Sequence, residues 1–272
     1  IQNKEGNLAQ AAHVIQGSDD TNLNNLGTNL ANNNLGVNGA IFQSFMTDVM
    51  NYEPLGNWSG SSYGDLDLGF MWNFVKNDTS GAAIAFGLVA PTGKKDNPNI
   101  LQDMAFGDGQ WDIYTEMSAG GYISGSLISD NLFRYTYQFA DSTILRIPTS
   151  ADTKLGSENG KFRFKLGDKV ELQNNVVWLR SNWHNFYAGS EFKYQFDNKY
   201  SSPYTQANQY LAQDSGMWSE SLKIGTVFSS IKLFQNKQFL LPGTVEIFLQ
   251  QVVAGDNTPK VTRAEIEFRM YF

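Results

Sequence analysis

Cysteine is absent from the 272-residue chain. That removes any disulfide framework and any thiolate metal site, and is compatible with a periplasmic folding route. Histidine is nearly absent: there are only two, His13 and His184, too far apart in sequence to ligate a metal together. Long apolar runs are missing as well. The longest mild candidate, residues 81–91, is about half of the ~18 apolar residues a membrane helix needs, so a helical membrane protein is excluded. There is no basic surplus: 27 acids stand against 20 bases, net charge −7, without a charged block. Nucleic-acid binding would leave a basic footprint, so no nucleic-acid partner is expected. The opening Ile1-Gln2-Asn3-Lys4 is polar rather than basic then apolar, so no signal peptide is read and the chain is expected to be processed.

Aromatic residues are plentiful: 19 Phe, 12 Tyr and 6 Trp. This is rich for a soluble domain and ordinary for a barrel with aromatic girdles at both membrane interfaces. The length suits one large β domain or two small ones.

Residues 1–36 are rich in Asn and Leu. Leu23, Leu26 and Leu30 share one face of a short helix, which the Asn and Gly content opposes. The segment reads either as an irregular periplasmic arm or as a plug inside a lumen. From residue 37 to 272 the period changes to two. Leu66, Leu68, Phe70, Trp72 and Phe74 alternate with Asp65, Asp67, Gly69, Met71 and Asn73, and successive strand side chains point to opposite faces. The pattern recurs at Phe133–Phe139, Phe162–Leu166, Phe186–Phe196, Val245–Leu249 and Ile266–Phe272. Weaker strands are expected at 82–90, 110–123, 142–147, 170–179 and 222–233, with Ala40–Val49 as the first. The sum is about twelve, an even number as in single-chain bacterial barrels. Polar stretches at 91–109, 149–160 and 198–219 read as outer loops, and Leu166-Gly167-Asp168 as a turn.

A soluble β-sandwich alternates too. Here the polar face carries opposed charges and the apolar face bulky aromatics near strand ends, where interfacial belts form. The expected fold is therefore all-β: a closed antiparallel transmembrane barrel with an N-terminal arm or plug, in a bacterial outer membrane. Closure follows because an open edge in lipid leaves backbone groups unpaired. The final Ile266-Glu267-Phe268-Arg269-Met270-Tyr271-Phe272 is similar to the terminal strand signal read by the barrel-insertion machinery. Expected partners are that machinery through Phe272, membrane lipid and lipopolysaccharide, and small-molecule solutes.

Four segments carry a family resemblance. Tyr63-Gly64-Asp65-Leu66-Asp67-Leu68-Gly69, then Ala85-Phe86-Gly87-Leu88-Val89-Ala90-Pro91-Thr92-Gly93, then Gly107-Asp108-Gly109-Gln110-Trp111-Asp112 occur in order, and the last pair of strands ends similarly. Together they resemble the outer-membrane channels of the "meta-pathway of phenol degradation" family. The resemblance implies a channel or uptake barrel and little about the ligand. The arm at 1–36 and the turn at 252–256 depart from the family's pattern.

Chemistry is weakly signalled. Ser181 and His184 are near neighbours, but adjacent residues rarely make a catalytic relay and no nucleophile elbow is present. Asp103, Asp108 and Asp112 offer oxygens without EF-hand spacing and read as a solvated turn; Gly107-Asp108-Gly109 is not a phosphate loop. No enzyme activity, metal or cofactor is expected. The functional expectation falls on lumen charges that set selectivity: Asp65, Asp67, Asp112, Glu116, Arg134, Arg163, Lys165, Glu265, Glu267 and Arg269, with Asp65, Asp67 and Glu116 facing Arg134, Arg163 and Lys165. The function expected is passive diffusion of small molecules, hydrophobic or aromatic ones among them. The alternatives are a sealed structural or surface-interaction barrel and an outer-membrane lipid hydrolase.

Overall fold

The computed structural model describes residues 39–151 and 155–271. The arm at 1–36 and Phe272 lie outside the described residues, and with them the plug reading and the last residue of the insertion signal. The chain divides into two compact units, residues 1–58 with 99–102, and 59–98 with 103–272. In the first, helix α1 (Gly39–Ser44) runs into a π-helical turn, Phe45–Val49, where a strand was expected. The correction has a local cause: Met50 N–H donates to the Phe45 carbonyl and Tyr52 N–H to that of Met46, so backbone groups that a strand would offer to a neighbour are satisfied within the segment.

The second unit holds all twelve strands of the described residues, in two sheets rather than one. Nine form an antiparallel sheet in the order β1 (Leu66–Lys76), β2 (Ser80–Ala90), β3 (Asp112–Ser124), β4 (Leu127–Gln138), β7 (Lys169–Leu179), β8 (His184–Gln195), β10 (Met217–Ser229), β11 (Gly243–Asp256) and β12 (Thr262–Met270). Strands β5 (Asp141–Arg146), β6 (Asn159–Lys165) and β9 (Lys199–Ser201) make a separate three-stranded sheet. Each neighbour pair in the large sheet adjoins in sequence once β5, β6 and β9 are set aside. It is a plain up-and-down meander.

The connections are asymmetric. At one end β1–β2, β3–β4 and β7–β8 are joined by tight turns and β10–β11 by a link carrying helix α3 (Ile231–Gln235). At the other end lie the short β11–β12 link, residues 257–261, and the longer residues 91–111, 139–168 and 196–216; these longer links contain two of the stretches expected to be outer loops and all of the third, 198–219, except its last three residues, which open β10. The last two links supply the small sheet and helix α2 (Thr205–Ala212). Phe162 of β6 is fully buried against Ala207 and Leu211 of α2, flanked by Leu145, Ile147 and Tyr200.

Burial in the large sheet is the reverse of a soluble protein's. Phe70 is 69% exposed and Phe268 is 70%. Leu222, Ile224, Ile247, Leu249 and Ile266 are also exposed. On the other face Glu171, Gln173, Glu191, Lys223 and Glu246 are partly buried, crowded by their own neighbours. An uncovered apolar face this wide marks a surface that meets protein or membrane.

Candidate functional site: the polar face of the sheet

Register places the polar side chains in rows. Glu116 on β3 is opposite Arg134 on β4, Arg134 opposite Glu171 on β7, and Glu171 opposite Lys193 on β8. Signs alternate across four neighbouring strands, so Arg134 and Glu171 each have opposite charge on either side. Arg134 sits at the centre, 3.8 Å from Glu116, 3.7 Å from Asp67 and 4.0 Å from Glu171. Lys193 lies 3.0 Å from Glu191 and 3.8 Å from Glu171. The amides of Gln173 and Gln250 donate to the two Glu191 oxygens, at 3.2 and 2.9 Å. The result is one belt of polar contacts reaching from β1 to β11.

Small residues make the belt possible. On this face β2 carries Gly81, Ala83, Ala85 and Gly87, and β10 carries Ser219 and Ser221, so longer side chains lie across both strands. Tyr114 on β3 crosses Gly87, where an added Cβ would stand 2.1 Å from the ring. Its hydroxyl passes Gly69 and donates to Asp67 at 2.9 Å. Arg134 stacks on the same ring, 3.7 Å from its centroid. The device recurs: Tyr187 on β8 crosses Gly225 on β10 and donates to Glu246 on β11. Lys223 bonds Glu246 at 3.0 Å and stacks 3.7 Å over Phe248. An aromatic side chain laid over a strand glycine covers the gap left by the missing side chain.

On β12, Arg269 grips Glu267 with two bonds of 2.6 and 2.9 Å, and Glu265 pairs with Arg263. Near the loop-rich end Asp65 accepts the Gly93 N–H at 2.8 Å, with Gly107 against its carboxylate. Buried Asp112 shares the Gln138 amide with Asp108, each at 3.4 Å. The structure thus brings Asp67, Glu116 and Arg134 together. It does not bring Arg163 and Lys165 to them. Arg163 is on β6 opposite Ser142 and Ser201, in the small sheet. Lys165 lies 2.9 Å from Asp168 and over the Tyr137 ring, on the opposite face of the large sheet.

Sequence reasoning left Tyr114, Glu171, Tyr187, Lys223 and Glu246 out of the site. Their signal was present: each falls on the polar register of its strand, and the glycines opposite the tyrosines stand where the period calls for a side chain.

His184 lies on the apolar face. Its ring stacks on Phe228 at 4.5 Å and beside Trp183 at 5.3 Å, with Nε2 2.7 Å from the Thr226 hydroxyl. Ser181 bonds the His184 backbone, not its ring. Among the described residues no three acidic or histidine side chains converge as metal ligands.

A solved structure with a similar fold is an outer membrane channel from Pseudomonas putida F1, with 14% identity and a TM-score of 0.55 over 76% of this chain and 67% of that one. No protein-family model and no curated protein sequence matches the chain, so the meta-pathway resemblance rests on its sequence segments alone. The likeness is one of fold: about three quarters of the chain follows the fold of a known outer-membrane channel.

Proposed function

We propose that the nine-stranded sheet is the greater part of a closed outer-membrane barrel that passes small molecules by passive diffusion. The reading assigns the chain no chemistry. One observation carries it: most large apolar side chains of the sheet lie exposed on one face, and the charges meet on the other. In water the outward face is unfavourable by about 25 cal/mol per Å² of apolar surface; in hydrocarbon it is at home.

The aromatic residues support a membrane band. At the turn-rich end Trp178, Phe186, His184, Phe228 and Trp183 form a continuous row of ring contacts across β7, β8 and β10, stacked except for the edge-on pair Phe186–His184. At the loop-rich end Tyr137 packs edge-on against Phe139, and Tyr194 against Phe196. Along β10, Trp218 and Phe228 are ten residues apart, about 33 Å of strand. With a tilt of about 40° that is about 25 Å, the height of a barrel's apolar band. Short turns face the periplasm in such barrels and long loops the exterior, which fits the asymmetric ends.

Closure requires partners for β1 and β12, the edges of the sheet among the described residues. Both run from the loop-rich to the turn-rich end, so antiparallel closure takes an odd number of strands between them. The belt holds four acids, Asp67, Glu116, Glu171 and Glu191, against Arg134 and Lys193. Its surplus negative charge favours cations, and small hydrophobic or aromatic solutes pass without a charge barrier.

Single-channel conductance in planar bilayers tests the proposal. Discrete cation-preferring openings are expected from the full chain, or from a chain lacking residues 1–36 if that segment blocks the path. No openings in either form would reject the channel reading and leave a sealed barrel, in which the paired belt serves as packing.

A further inference from the structure

An apolar cleft of about 310 Å³ opens on the outward face at the turn-rich end. Its walls include Trp183, Phe228, Leu233, Val245, Phe268 and Met270. The volume is at the lower end of the range for small-molecule sites, about 300–1,000 Å³. The link between β10 and β11 forms one side of it. That link ends α3 with a Schellman motif: Gln238 N–H donates to the Leu233 carbonyl and Lys237 N–H to that of Phe234. The chain is thereby fixed so that Phe239, Leu240 and Leu241 project. Leu240 is 90% exposed.

We propose that this cleft holds the acyl chain of an anionic glycerophospholipid and that Leu240 anchors the link in the same leaflet. The inference rests on the membrane reading above. Residues 230–243 contain two bases, Lys232 and Lys237, and no acid, which complements a phosphate. Lys232 is drawn 3.4 Å from the Asn182 side-chain oxygen, beside the Trp183 wall of the cleft. Lys237 occupies the left-handed position that ends the helix, at φ 59°. Glycine is the usual residue there and a Cβ is strained, so the position carries a cation at a cost to the backbone. The turn-rich end fixes the leaflet: it faces the periplasm, where the lipid is a phospholipid rather than lipopolysaccharide.

The test refolds the full chain into phosphatidylcholine vesicles containing phosphatidylglycerol, extracts it in detergent and counts bound lipids by native mass spectrometry. One retained phosphatidylglycerol is expected. Lys237→Gly relieves the backbone, so its thermal midpoint should hold or rise while lipid retention falls about fivefold. Adding Lys232→Gln should bring the loss to about 25-fold, and Val245→Trp, which fills the cleft, should abolish retention. An inserted chain that carries no phosphatidylglycerol, or variants that retain it as the parent does, would overturn the lipid site and leave the membrane reading standing. Displacement by lipid A would also overturn it. A chain that fails to insert at all would remove both readings.

Discussion

At the scale of single residues, the polar face works through contrast between very small and very large side chains. Gly87 is empty so that Tyr114 can lie on its backbone. Gly87→Leu should drive the ring off, break the bond to Asp67 and destabilise the fold by about 1–3 kcal/mol, the usual result of overpacking; urea titration of the detergent-solubilised protein would read the loss. Gly225→Leu should do the same to Tyr187. Arg134 tests the electrostatics. Its guanidinium is surrounded by Asp67, Glu116 and Glu171, so Arg134→Gln leaves three carboxylates facing one another. The expected outcome is stronger cation selectivity, seen as a reversal potential shifted toward the potassium equilibrium value in a KCl gradient. An unchanged reversal potential would mean that ions do not pass this belt. Asp67 and Glu116 were legible from alternation beside charge. The polar register of Tyr114 was legible too, but its contact with Asp67 was not, because it depends on which residues lie two strands away and on the register between those strands.

At the scale of elements, β4 and β6 share a pattern and differ in environment. In β4, Phe133 and Tyr137 alternate with Arg134 and Gln138, and the aromatics face out. In β6, Phe162 and Phe164 alternate with Lys161, Arg163 and Lys165, and the aromatics are at 0% and 6% exposure. Period two reports that a strand has an apolar face, not whether lipid or protein covers it. Helix α2, which covers β6, lies forty residues further on and gives no local sign of its partner. Asp168 joins the two sheets' strands at the end of β6. Burial pushes its carboxyl up, but the Lys165 ammonium, the Gln138 N–H and the Tyr135 hydroxyl outweigh this and hold it below the usual carboxylate range. A folded-state value below the unfolded one contributes stability above the ordinary Asp value of about 3.9, lost as pH falls through the folded value. The urea midpoint should therefore fall on acidification below about pH 4, and Asp168→Asn should flatten part of that decline while lowering the midpoint at neutral pH.

At the scale of the whole molecule, the inverted distribution of polarity is decisive. Leu222 and Ile224 lie mid-strand on β10 with their side chains outward. Leu222→Arg should raise the free energy of the folded chain in vesicles by about 2–4 kcal/mol, as charge near a bilayer midplane does. The same change on a water-facing surface should stay within about 0.5 kcal/mol. Folding equilibria in phosphatidylcholine vesicles separate the two, and a value in the lower range would remove the membrane from the account.

The sequence by itself determined which residues of each strand share a face, that polar links separate the strands, and that no apolar run is long enough for a membrane helix. Those properties are local or follow chain order, and a side-chain period of two survives whatever the neighbours are. The tertiary structure alone decided that twelve strands divide nine and three, that Ala40–Val49 closes its hydrogen bonds internally, that Lys165 lies across the sheet from the acids it was expected to face, and that the small residues of β2 and β10 are bridged by tyrosines, glutamines and acids from either side. Each of these depends on contacts between segments distant in the chain. Hydrogen-bond register fixes such contacts to within one residue, and composition does not record it.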